Sequence, residues 1–116
     1  MKPYFCYLDH FATGEGIVFC LGLVAAESEE QAREKFVIEN MLTHWNPETD
    51  ATRIKEGVEY YSGGVLVYDF RDKSKRDDIK RILKDFISES HIEYILTADD
   101  NHALHRFRFH SYVNYS

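Results

Sequence analysis

Proline and cysteine are both scarce in this chain, with two of each among 116 residues. Cys6 and Cys20 lie in separate apolar segments without the C-x-x-C spacing of a zinc knuckle or a thioredoxin-like site. They read as buried free thiols in a reducing cytosol, although a hairpin turning near Thr13 could set them opposite each other. Long hydrophobic runs are missing too. The stretch "MKPYFCYLDHF" has one lysine before an apolar run that Asp9 and His10 interrupt, which fits neither a secretory signal nor a membrane span. A cytoplasmic protein without membrane attachment is expected. No G-x-S-x-G elbow, P-loop or G-x-G-x-x-G occurs, and no nucleophile is paired with a base, so neither catalysis nor a cofactor is expected.

What is present is an ordinary globular composition, 44% hydrophobic and 29% charged. A chain of this length suits one domain, residues 1–116, able to bury a core without staples. The formal charge of -6 is unevenly spread: residues 1–50 carry nine acidic and three basic side chains, and residues 51–116 carry eleven of each. An acidic balance disfavours broad affinity for nucleic acid, which comes mainly from neutralising phosphates.

Along the chain, "YFCYLDHF" and "GIVFCLGLVAA", separated by the glycine-bearing "ATGEG", predict a β-hairpin. "SEEQAREKFVIENML" opens with Ser28 and Gln31 at capping-box spacing and sets Ala32, Phe36, Val37 and Met41 on one helical stripe, which Asn46-Pro47 should end. "PETDATRIKEG" has no clean period and reads as loop. "GVEYY" and "GVLVYDF" around "SGG" predict a second hairpin. Ile79, Ile82, Leu83, Phe86 and Ile87 predict a second helix. "IEYILTA" and "LHRFRFHSYV" predict a third hairpin, connected through the acid- and histidine-bearing stretch "TADDNHALHRFRFHS". The expected order is ββαββαββ, an α+β two-layer sandwich with two helices on one face of a mainly antiparallel sheet, related to ferredoxin-like folds.

Several side-chain groups could carry chemistry on that frame. Asp99, Asp100, His102 and His105 offer metal-ligating atoms at close range, but the spacing matches no motif and the residues fall in a presumed loop, so a solvated connection is expected. Strand alternation would put His105, Phe107, Phe109 and Val113 toward the core. Arg106, Arg108, His110 and Tyr112 would then face solvent, where Arg and an aromatic could meet single-stranded nucleic acid. Lys73, Lys75 and Arg76 stand at a helix start, where free amides and the dipole favour an anion, while Asp77 and Arg81 pair at i, i+4.

The N-terminal strand is apolar on both faces, with Tyr4, Cys6 and Leu8 on one and Phe5, Tyr7 and Phe11 on the other. Two helices cover one side only, so aromatic surface is left over, and interfaces are enriched in such residues. The expected function is a small non-catalytic protein-binding module of the regulator, inhibitor or immunity type. It would act through an aromatic sheet face, with Tyr4 and Tyr7 as candidates on its two sides, or an acidic helix surface bearing Glu27, Glu30 and Glu34, with Arg106, Arg108 and Tyr112 as further contacts. A homodimer would bury the excess. A metal-dependent enzyme using the histidine loop and a single-stranded nucleic-acid binder are the competing classes.

Overall fold

A computed structural model describes residues 1–13, 16–107 and 110–114, and the side chains of 9–13, 16–19, 106 and 110–114 lie outside that description. The chain is α+β. Strands β1 (Lys2–Thr13) and β2 (Gly16–Ala26) form the expected hairpin, followed by α1 (Glu29–Met41), α2 (Ala51–Ser62) and β3 (Val65–Asp69). A 3-10 turn at Lys73–Lys75 leads into α3 (Arg76–Leu83), then α4 (Glu89–Thr97), α5 (Asp100–Arg106) and β4 (His110–Asn114).

The four strands form one antiparallel sheet in the order β3-β1-β2-β4, with β1 and β2 in the middle and β3 and β4 at its edges. β1 is the spine: its Tyr4 lies opposite Val24 of β2 on one side and Asp69 of β3 on the other. Leu8 pairs with Cys20 and Cys6 with Gly22, so the two thiols are offset along the ladder rather than opposite, and both are free and buried.

Period-two alternation along β1 sorts its side chains as the sequence predicts, but the sheet is covered on both faces. Tyr4, Cys6 and Leu8, with Cys20, Val24, Val65 and Val67, pack beneath Ala32, Phe36 and Val37 of α1 and the half-buried Ile54 and Val58 of α2. Phe5, Leu21 and Leu23 pack on the opposite side against Ile79 and Leu83 of α3, Ile92, Ile95 and Leu96 of α4, Ala103 of α5, and Phe107. The two-layer expectation is therefore corrected to helix layers on both sides, in the order ββααβαααβ. The ββαββαββ order and the ferredoxin-like run within it are not met.

Three predicted elements changed identity, each for a local reason. "GVEYY" belongs to α2, because Ile54, Val58 and Tyr61 recur at helical spacing and pack against the first core. Gly63 then caps a helix, and the Gly64 amide donates to the Tyr61 carbonyl, where a hairpin turn had been expected. "IEYILTA" is α4, with Ile92, Ile95 and Leu96 buried along one stripe and the Ser88 hydroxyl accepting from the His91 amide as N-cap. The loop "TADDNHALHR" is the end of α4, a cap and α5. α1 is capped by Ser28 as expected, although Gln31 reaches back to the amide of Glu27, and the helix ends at Met41, before Asn46-Pro47.

Candidate functional site

The Asp/His stretch is organised by helix capping. Asp99 is the N-cap of α5: its carboxylate accepts from the His102 amide at 2.9 Å, and its second oxygen lies 2.7 Å from His102 Nδ1. These hydrogen bonds from the amide and then the ring of His102 hold the Asp99 carboxyl below its ordinary range. Asp100 points elsewhere, accepting from Arg71 Nε at 2.8 Å. His105 is exposed on α5, a correction to its expected place on the core face of a strand. Among the described residues, no group of three or more His, Cys, Asp or Glu side chains converges on one point.

Arg71 ties this corner together. Besides Asp100, its guanidinium donates to the carbonyls of Leu96 at 2.8 Å and Ala98 at 2.6 Å, satisfying backbone acceptors at the end of α4. Arg71→Ala should cost about 2 kcal/mol, the scale of hydrogen bonds to a charged group. Arg71→Lys should restore under half, because an ammonium cannot reproduce the fork. Urea denaturation of both variants checks this, and a loss below about 0.5 kcal/mol for the alanine variant would remove the guanidinium from the account.

The basic helix start is already furnished with acids. Asp72 caps the 3-10 turn, accepting from the Ser74 hydroxyl at 2.7 Å and the Ser74 amide at 2.9 Å, and these bonds lower its carboxyl pKa. Lys75 lies 5.7 Å from the Tyr68 ring centroid, Lys73 is exposed, and Arg76 is half-buried. Asp77 and Asp78 fill the first turn of α3, and Arg81 pairs with Asp78, not with the expected Asp77. For the suggested nucleic-acid face, Arg106 closes α5 and so leaves the strand it was assigned to. Arg108 lies outside the described residues. Tyr112 is on β4 opposite Phe19, its side chain outside the description.

The aromatics proposed for a sheet-face interface are covered. Tyr4 is 6% exposed beneath the first helix layer, and Tyr7 is half-buried with its ring edge-on to Phe86 at 6.2 Å. Among the described residues, exposed acids meet an exposed ring at Tyr94 of α4 and, with a larger excess of acid, on the α1–α2 layer, where Tyr60 is exposed. Residues 27–62 hold nine acidic and four basic side chains, most of the chain's excess negative charge. Two of the four bases turn back to the sheet region: Lys35 donates to Ala25 O at 2.9 Å and Arg33 to Val65 O at 3.5 Å. Glu27, Glu30 and Glu34 are exposed, with Glu27 3.9 Å from the terminal amine.

Two open grooves mark this layer. One, about 510 Å³, runs between the helices over Ile54 and Val58, with Glu34, Lys55 and Glu59 along it. The other, about 570 Å³, lies at the end of α1 and is walled by His44, Trp45, Tyr60 and Tyr61, with Arg53 and Glu56 beside them. Arg53, Glu56, Gly57 and Tyr60 form one stripe of α2. At Gly57 a Cβ would come within 2.7 Å of Leu42 Cδ2, so a larger residue there would require the Leu42 side chain to shift. Sequence reading missed this groove because residues 51–61 were assigned to loop and strand; the Ile54, Val58, Tyr61 period was the signal that could have found it.

No family model matches the chain, and neither the curated proteins nor the solved structures include a match to it.

Proposed function

We propose that the chain is a small non-catalytic protein-binding module that docks a basic partner on its acidic α1–α2 layer. One observation carries the reading: with both sheet faces covered at the described residues, this layer joins an excess of exposed carboxylates to two grooves and to the exposed rings of His44 and Tyr60. Rings supply buried contact area at an interface, and a surrounding field of one sign steers a partner of the other. The two sheet faces, one bearing Tyr4 and the other Tyr7, no longer support self-association, since helices occupy both at the described residues. Neither an enzyme using Asp99 and His102 nor a nucleic-acid surface is favoured by a specific contact.

The test is calorimetric titration with a short arginine-rich peptide and a neutral peptide of equal length. The basic peptide should bind and weaken as salt rises, and the neutral one should not bind. Glu30→Lys/Glu34→Lys should weaken binding about tenfold, since each reversal replaces an exposed attraction by a repulsion. Binding unchanged by the double reversal would remove the layer from the mechanism.

A further inference from the structure

Trp45 is the single tryptophan of the chain, and its ring already carries a cation: the Arg53 guanidinium carbon lies 4.9 Å from its centroid. One side of the indole packs on the first core, and the groove beside it is lined by Met41 and Leu42 together with further rings and an acid. His44 is tilted against the indole with centroids 4.6 Å apart, Tyr60 and Tyr61 meet edge-on at 5.1 Å across the same groove, and Glu56 follows Arg53 along the α2 stripe. Tyr60 is 69% exposed, so this ring edge is open to an incoming group. Aromatic faces attract cations, and a planar guanidinium stacks on them better than an ammonium does.

We infer that the His44, Trp45, Tyr60, Tyr61 groove is an anchor site for an arginine side chain of the docked partner, with Arg53 holding the Trp45 face until that arginine displaces it. The inference rests on the docking reading above and adds to it the residue type recognised and the place where it lands. Charge complementarity selects the occupant: the layer has an excess of acids, and Glu56 stands at the groove to pair with the guanidinium. Arg53 is then an internal competitor as well as a packing partner for the indole. A free protein presents its groove half-filled by its own cation, and the partner's gain is the difference between the two arginines.

The probes are a peptide of alternating glycine and arginine and the same peptide with lysine or with neutral citrulline in place of arginine, followed by Trp45 fluorescence and calorimetry. The arginine peptide should shift Trp45 emission and bind about two- to fivefold tighter than the lysine peptide, the difference set by stacking. The citrulline peptide, which keeps shape and loses charge, should leave the emission unmoved. Tyr60→Ala should weaken the arginine peptide about two- to fivefold. Tyr60 is exposed, so its truncation leaves both cores intact, and circular dichroism of the variant checks the fold.

Arg53→Gln should tighten the arginine peptide, and by more than Lys55→Gln, which removes an equal charge from the same helix but is not among the residues lining this groove. Equal effects of the two glutamine variants, or citrulline binding as well as arginine, would overturn the anchor. If Glu30→Lys/Glu34→Lys abolishes binding while Tyr60→Ala and Arg53→Gln change nothing, the docking reading stands and the groove assignment falls. If no basic peptide binds, both fall.

Discussion

Phe36→Ala is expected to lose about 3–5 kcal/mol of folding stability, the range found when a buried aromatic is truncated. Phe36 is fully buried on the inner stripe of α1, in the cluster that joins Ala32 and Val37 to Cys6, Leu8 and Cys20 of the sheet. Its neighbours belong to different elements, which cannot all close on the space left by a lost ring, so a cavity term adds to the lost transfer energy. Set against a total stability of roughly 5–15 kcal/mol, this leaves a protein near its unfolding threshold. Urea denaturation should show the midpoint falling with an unchanged slope. Phe107→Ala, its counterpart in the core on the other sheet face, should behave alike, because both cores share the strands of one sheet. A loss under about 1 kcal/mol for Phe36→Ala would mean that α1 does not seal this face.

Stability should also fall steeply in alkali, with Cys6 as a main cause. Burial pushes its thiol up from 9.0 to about 12, and the charge of Arg33 only partly opposes this. In the unfolded chain the thiol ionises near its ordinary value, so above pH 9 the unfolded state releases a proton that the folded state keeps. The stabilisation from the neutral thiol is thus whole below pH 9 and is lost as pH rises toward 12, at about 1.4 kcal/mol per pH unit. Across the window this amounts to about 4 kcal/mol. Denaturant titrations at stepped pH, comparing the parent with Cys6→Ala, isolate the contribution from tyrosine and lysine ionisation. Parallel curves for the two proteins would show that Cys6 is not held in the dry core. The same burial predicts that native Cys6 resists alkylating reagents until the chain opens, since only the thiolate attacks.

Much of the first half of the chain was legible. The alternation from Tyr4 to Leu8, the antiparallel pairing of the first two strands and the Ser28 cap before Ala32, Phe36 and Val37 each agree with the structure, because each is a local signal that points the same way as the tertiary packing, while Gly14 and Glu15 of the turn "ATGEG" and the side chain of Phe11 lie outside the described residues. The same holds for Ile79 and Leu83 of α3. Beyond these, composition misled. "GVEYY" and "IEYILTA" are short, β-branched and aromatic, so over five to seven residues a buried helix segment and a strand look alike. The decisive marks were small: Ser88 three residues before His91, Asp99 three before His102, and a helical period that continues back from Tyr61 through Val58 to Ile54.

By itself, then, the sequence determined the hairpin, the helices around Phe36 and Ile79, the apolar character of both faces of β1, and the concentration of acid in its first half. Those are properties of neighbours in the chain, set by backbone sterics, capping and side-chain period. Only the tertiary structure decided what becomes of them. With three further helices formed, the second face of β1 is spent on a core, and Tyr4 and Tyr7 pass from candidate interface to interior or half-interior. The surplus of aromatic surface moves to His44, Trp45, Tyr60 and Tyr61, which line one groove where α2 packs near Leu42 at Gly57. Burial depends on which elements compete for the same apolar surface, and that competition is settled by packing among segments far apart in the chain.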